Sequence, residues 1–150
     1  MNYGEKSTAF LLDELITTHL RMKTSKIGSE RYREQSWKRF EIYELLFKRT
    51  DMDFLNVIIS FYTGEESTEK LEPILLDCCH NLFNCVLLCW EAQERIMDES
   101  FSDKERLDWA IEAQRQNALR SKYMIELDTF MGEGYRSVSE KTYYSYFDNK

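Results

Sequence analysis

At 150 residues the chain fits one domain, long enough to bury roughly 70% of the surface its unfolded form exposes. One proline and five glycines argue against a turn-rich all-β fold, and an aromatic content of 14% supplies material for a core. A net charge of −7 opposes generic binding to nucleic acid or to anionic membranes.

The charge is unevenly spread. Arg21 to Arg49 holds nine basic and four acidic residues, and the rest holds eleven basic and 23 acidic. Either a basic hairpin packs beside acidic neighbours in the same domain, or the patch meets an anionic partner.

Ser7 or Thr8 caps a first helix that runs to about Lys26 and ends at Gly28. Leu11, Leu15, Thr18 and Met22 form its inner row, with Leu12, Ile16 and His19 beside them. Ser29 caps a second helix to about Arg49, and the spacing places Trp37, Phe40, Tyr43 and Phe47 in its inner sector. Asp51 or Asp53 caps a short apolar helix over Phe54–Tyr62, stopped by Gly64.

A third helix is expected from Ser67 or Thr68 to about Asp98, with Pro73 tolerated near its first turn. Leu71, Leu75, Cys78, Leu82, Cys85, Cys89, Ala92 and Ile96 step alternately by four and three residues, one continuous stripe along that helix. Cys79, Phe83, Val86 and Trp90 make a second apolar row about 100° round. A bundle helix needs one core-facing stripe, so this row is a candidate interface, covered by the short helix, by the C-terminal segment or by a second copy. The apolar run over Ile74–Trp90 is short and interrupted by Asp77, His80, Asn81 and Asn84, which argues against a bilayer span.

Ser102 and Glu105 spell a capping box for a fourth helix, which continues to Met131 and stops at Gly132. The tail beyond Gly132 carries Tyr135, Tyr143, Tyr144, Tyr146 and Phe147, enough aromatic surface to expect a docking arm over 132–150. Four long helices in two hairpins close into an antiparallel four-helix bundle. Phe10-Leu11-Leu12-Asp13 and Ile74-Leu75-Leu76-Asp77 open the two hairpins alike, as a duplication would leave them.

Several constellations bear on chemistry. Cys78, Cys85 and Cys89, with His19, are the donors a soft metal would use, but no C-x-x-C pair exists. Read instead as small apolar residues, the cysteines allow close helix approach. Free thiols and a polar N-terminus without an apolar leader fit a reducing cytoplasm. Gln114, Asn117, Ser121 and Asp128 follow inward spacing beside Leu107, Ile111, Ala118 and Ile125, and they form either a buried network or a polar pocket. Arg115, Arg120, Thr18 and His19 are available to satisfy them.

Glu91-x-x-Glu94 followed by Glu105-x-x-Asp108 resembles the carboxylate set with which all-α nucleoside triphosphate pyrophosphohydrolases hold Mg²⁺. That resemblance implies a Mg²⁺-dependent enzyme in which Lys104 or Arg106 meets phosphate. The alternative is a solvated acidic corner at a hairpin turn. Trp90-Glu91-Ala92-Gln93-Glu94, Ala113-Gln114, Asn117, Arg120-Ser121 and Glu126-Leu127-Asp128, with the segment Phe10–Thr18, resemble a group of small uncharacterised bacterial helical proteins. That likeness implies a helical hairpin and no particular activity.

The expectation is an all-α interaction or assembly module without cofactor, whose partner is itself or another helical protein.

Overall fold

Five α-helices follow a short 3-10 turn at Tyr3–Glu5 in the computed structural model, which describes residues 2–64 and 71–133. They are α1 (Thr8–Lys23), α2 (Glu30–Arg49), α3 (Met52–Thr63), α4 (Pro73–Met97) and α5 (Asp103–Phe130). The Ser67 or Thr68 cap and the aromatic arm beyond Glu133 lie outside the described residues.

The helix starts follow the sequence. Ser7, Ser29, Asp51 and Ser102 each accept a hydrogen bond from a backbone N–H in the first turn of the helix they cap, and Ser102 and Glu105 complete the capping box. α4 differs. It begins at Pro73, behind Glu72, which makes no side-chain cap hydrogen bond. Proline at the first helical position has no N–H left to satisfy, so the helix starts there without a polar cap. Gly64 closes α3 at φ 71°, a left-handed cap that a β-carbon would strain.

α4 and α5 form the most extensive helix pair, and α1 and α2 the next. α1 also packs on both α4 and α5, while α3 bridges α2 and α4. The main core takes Phe10, Leu11, Leu12, Leu15 and Ile16 from α1, Ile42 and Leu46 from α2, and Phe54 and Ile58 from α3. Cys79, Leu82 and Val86 of α4 and Met124 and Leu127 of α5 complete it. A satellite cluster of Ala92, Ile96, Ala110 and Ala113 holds the far end of the α4–α5 hairpin, where small side chains let the two backbones approach.

The α4 stripe is buried from Leu75 to Ile96, all three of its cysteines included. α4 is also the one described helix long and apolar enough to cross a bilayer. Here that stripe faces α5 and α1, and Asp77, His80, Asn81 and Asn84 lie on exposed positions.

Two expected inner faces are corrected. On α2 the buried residues are Gln35, Ile42 and Leu46, whereas Trp37, Phe40 and Phe47 are 73%, 57% and 52% exposed. The aromatic row lies on the opposite side of the helix from the Ile42–Leu46 row, and α2 meets its neighbours through the latter. On α5 Leu107 and Ile111 are exposed, and the buried positions are Ala110, Ala113, Gln116, Met124, Leu127 and Asp128. With Asn117 and Arg120 these make a stripe stepping by three and four, written mostly in small and polar residues.

The two similar openings also diverge. Asp13 is fully buried, whereas Asp77 is exposed.

Candidate functional site

The cysteines sit where they cannot easily act as thiolates. All four are free and buried. Burial pushes the Cys79 thiol up to about 12 and the Cys85 thiol up to about 11, the latter helped by its neighbour Cys89. Burial also raises Cys78 and Cys89, although Arg120 beside Cys89 pulls the other way. As protonated thiols they donate: Cys89 Sγ lies 3.2 Å from Asn117 Oδ1 and Cys78 Sγ 3.7 Å from Glu126 Oε2. His19 lines a cleft between α1 and α2 whose walls include no cysteine. The structure does not bring Cys78, Cys85, Cys89 and His19 together.

The acidic corner is spoken for locally. Glu91 pairs with Arg95 at 3.3 Å, one turn on. The Arg95 guanidinium lies 5.3 Å over the Phe101 ring and 5.1 Å over the Trp109 ring, so it clamps the hairpin tip. Glu105 is held in the capping box, its Oε2 accepting from the Ser102 N–H at 3.0 Å. Arg106 Nε donates to the Ile96 carbonyl at 2.7 Å and ties α5 back to α4. Glu94, Asp108 and Lys104 are exposed. Among the described residues no group of three or more Cys, His, Asp or Glu side chains is arranged to hold a metal ion.

The polar groups of α5 act as fasteners. Asp128 is fully buried, and its Oδ1 accepts from the Ala9 N–H at 3.0 Å. The Glu133 carboxylate accepts from the Thr8 N–H at 3.2 Å and 3.3 Å. Ser7 Oγ accepts from the Phe10 N–H at 3.1 Å. Three orphan donors of the α1 N-terminus are thus satisfied, two of them by acids at the C-terminal end of α5, where the α1 dipole also favours negative charge. Arg49 extends this junction, donating to the carbonyls of Lys6 and Gly4 and lying 3.8 Å from Glu133. One turn into α1, Asp13 takes both ends of the Arg120 guanidinium fork. Asn117 is engaged by Cys89, and Gln114 and Ser121 are half-buried. The row is a packed seam, with its members reaching α1 and α4.

The second apolar row on α4 meets the short helix, the first of the three covers its spacing allowed. Cys79 and Val86 are buried, and Phe83 meets Phe61 of α3 with ring centroids 5.4 Å apart. Phe61 also stacks on His80 at 5.1 Å. The short helix α3 covers the first half of that row, and Trp90 is half-buried against the core. An exposed apolar groove lies instead between α2 and α3. Phe40, Tyr43 and Phe47 line a groove of about 510 Å³ with Leu55 and Ile59, and Arg39 and Glu44 stand at its edges. Trp37 continues the surface toward the α2 N-terminus and meets Phe40 edge-on at 6.4 Å. The aromatic spacing on α2 marked an apolar face, but nothing in it said which side of the helix the neighbours would take.

In comparison with known proteins, no family model, no curated protein and no solved structure matches this chain.

Proposed function

We propose that this chain is a non-enzymatic helical interaction module that associates with a second copy of itself through the exposed face of α2. The observation that carries the reading is the exposure of Trp37, Phe40 and Phe47 beside the groove completed by Leu55 and Ile59. Large aromatic side chains on one contiguous face mark association surfaces.

Helical spacing, and the charges at the edge of the seam, argue for a second copy as the occupant. Trp37, Phe40, Glu44 and Phe47 step by three, four and three, the seam spacing of paired helices. An antiparallel α2 pair that sets Phe40 against the second copy's Phe47 brings Glu41 close to the second copy's Lys48. Glu41 and Lys48 are both exposed and lie along the same edge of the seam. Four free thiols support a reducing, cytoplasmic setting for this module.

Light scattering at tens of micromolar tests the reading. The wild type is expected as a dimer, and Phe40→Glu as a folded monomer. Lys48→Glu is expected to weaken the dimer and Glu41→Lys with Lys48→Glu to restore it. A monomeric wild type overturns the reading. A monomer that dimerises only after removal of residues 134–150 overturns it too, because the chain's own C-terminal segment is then the occupant.

A further inference from the structure

The basic hairpin formed by α1 and α2 encloses a second concavity, which shares only Arg39 with the apolar groove. A cleft of about 450 Å³ lies between the last turns of α1 and the first turns of α2, lined by His19, Met22, Lys23, Ile27, Tyr32 and Arg39, with Ser25 in the connecting turn. Its cations are unmatched. Neither Lys23 nor Arg39 has an ion-pair partner among the described residues, although acids outnumber bases in the chain by seven.

Lys23 lies in the last turn of α1, where the helix dipole accounts for a cation. Arg39 lies mid-way along α2, where it does not. A guanidinium and an ammonium facing one cleft match a dianion better than a monoanion, and the guanidinium fork fits phosphate oxygens two at a time. The rest of the wall is suited to an organic body. Tyr32 is half-buried, Met22 is buried and Ile27 is a fully presented apolar rim at 80% exposure.

The field in the cleft is that of its cations: burial first, then Arg39 and Lys23, lower the pKa of His19.

We infer that the α1–α2 cleft binds a small organic phosphate, its phosphate dianion held by Lys23 and Arg39 and its apolar or aromatic body against Met22, Ile27 and Tyr32. The seat needs no second copy, and Lys23, which does not line the apolar groove, separates loss of the seat from loss of the dimer.

Phenyl phosphate is the probe, titrated into isotopically labelled full-length protein with amide shifts as the readout. Saturable binding is expected, with the largest shifts at Lys23, Tyr32 and Arg39. Arg39→Gln and Lys23→Gln are each expected to weaken binding about tenfold or more, equivalent to about 1.4 kcal/mol. Arg33→Gln, an exposed cation of the same hairpin outside the cleft, is expected to leave binding unchanged. Circular dichroism confirms that each variant is folded, and Lys23, exposed on the rim, serves if the Arg39 variant is not. Three results overturn the inference: no saturation at ten-millimolar probe, equal loss from Arg33→Gln, or inorganic phosphate binding as tightly as phenyl phosphate.

Discussion

Asp13 on α1 and Arg120 on α5, 107 residues apart, form a two-point ion pair at the centre of the molecule. Asp13 is fully buried, and the Arg120 side chain is 13% exposed. Water is therefore largely excluded from the pair, and each charge depends on the other for its solvation. The pair also orients α1. Ala9 bonds Asp128, and one turn further on Asp13 bonds Arg120, so the two helices run in opposite directions.

Removing one partner strands the other. Asp13→Asn or Arg120→Met is expected to cost about 3–5 kcal/mol of stability, read from the midpoint of urea unfolding. Asp13→Leu combined with Arg120→Met is expected to recover most of that loss, because no unpaired charge remains. Losses that simply add in the double variant would show that the two side chains do not act as a pair.

The face assignment on α2 has an energetic signature. Ile42→Ala and Leu46→Ala empty fully buried positions and are expected to cost about 2–5 kcal/mol each. Trp37→Gln removes a larger side chain from an exposed position and is expected to change stability by less than about 0.5 kcal/mol in dilute solution. Denaturant titrations at low micromolar concentration make the comparison. The reverse ranking would mean that the aromatic row is the buried face after all.

Thiol chemistry follows burial. At pH 8 the native protein is expected to react slowly with a disulfide reagent, and all four thiols promptly once it is unfolded in guanidinium. Cys79, held at about 12, is expected to be the slowest. A thiol that reacts at the rate of a free cysteine in the native protein would contradict the packing of α4.

His19 carries a pH dependence of stability. Its folded-state pKa is lowered from 6.5 by burial, then by Arg39 and Lys23. The unfolded chain therefore takes up the proton at higher pH than the folded one. The contribution of His19 to stability is fully present above pH 6.5 and is lost as pH falls through the folded value. Imidazole resonances are expected to place the His19 midpoint below 6.5, and Arg39→Gln to move it upward. A midpoint at or above 6.5 would remove this account. In the same titration phenyl phosphate is expected to raise the midpoint, since an anion seated beside Arg39 offsets its charge.

The helices themselves were legible in the chain because caps and stops are local. Ser7, Ser29, Asp51, Ser102, Gly64 and Gly132 act on hydrogen bonds within a turn of themselves, and a local cause leaves a local trace. The α4 stripe was legible for a related reason: Leu75 through Ile96 is apolar on one side for about six turns. α5 was harder. Its inward stripe reads Ala110, Ala113, Asn117, Arg120, Met124 and Leu127, while Leu107, Ile111 and Ile125 carry more apolar surface and point away from the seam or only half into it. Small and polar seam residues are recognised only by what they meet, here Cys89 and Asp13.

Amino-acid order alone determined the all-helical class, the four side-chain-capped helix starts and the burial of the cysteine stripe, since each rests on interactions within a few turns. Tertiary structure decided which face of α2 is wet, that α3 covers Phe83, that Asp13 is charged and buried while Asp77 is exposed, and that Lys23 and Arg39 share a cleft. Those outcomes depend on which helix lies beside which, and helix placement is set by the summed burial of every face at once.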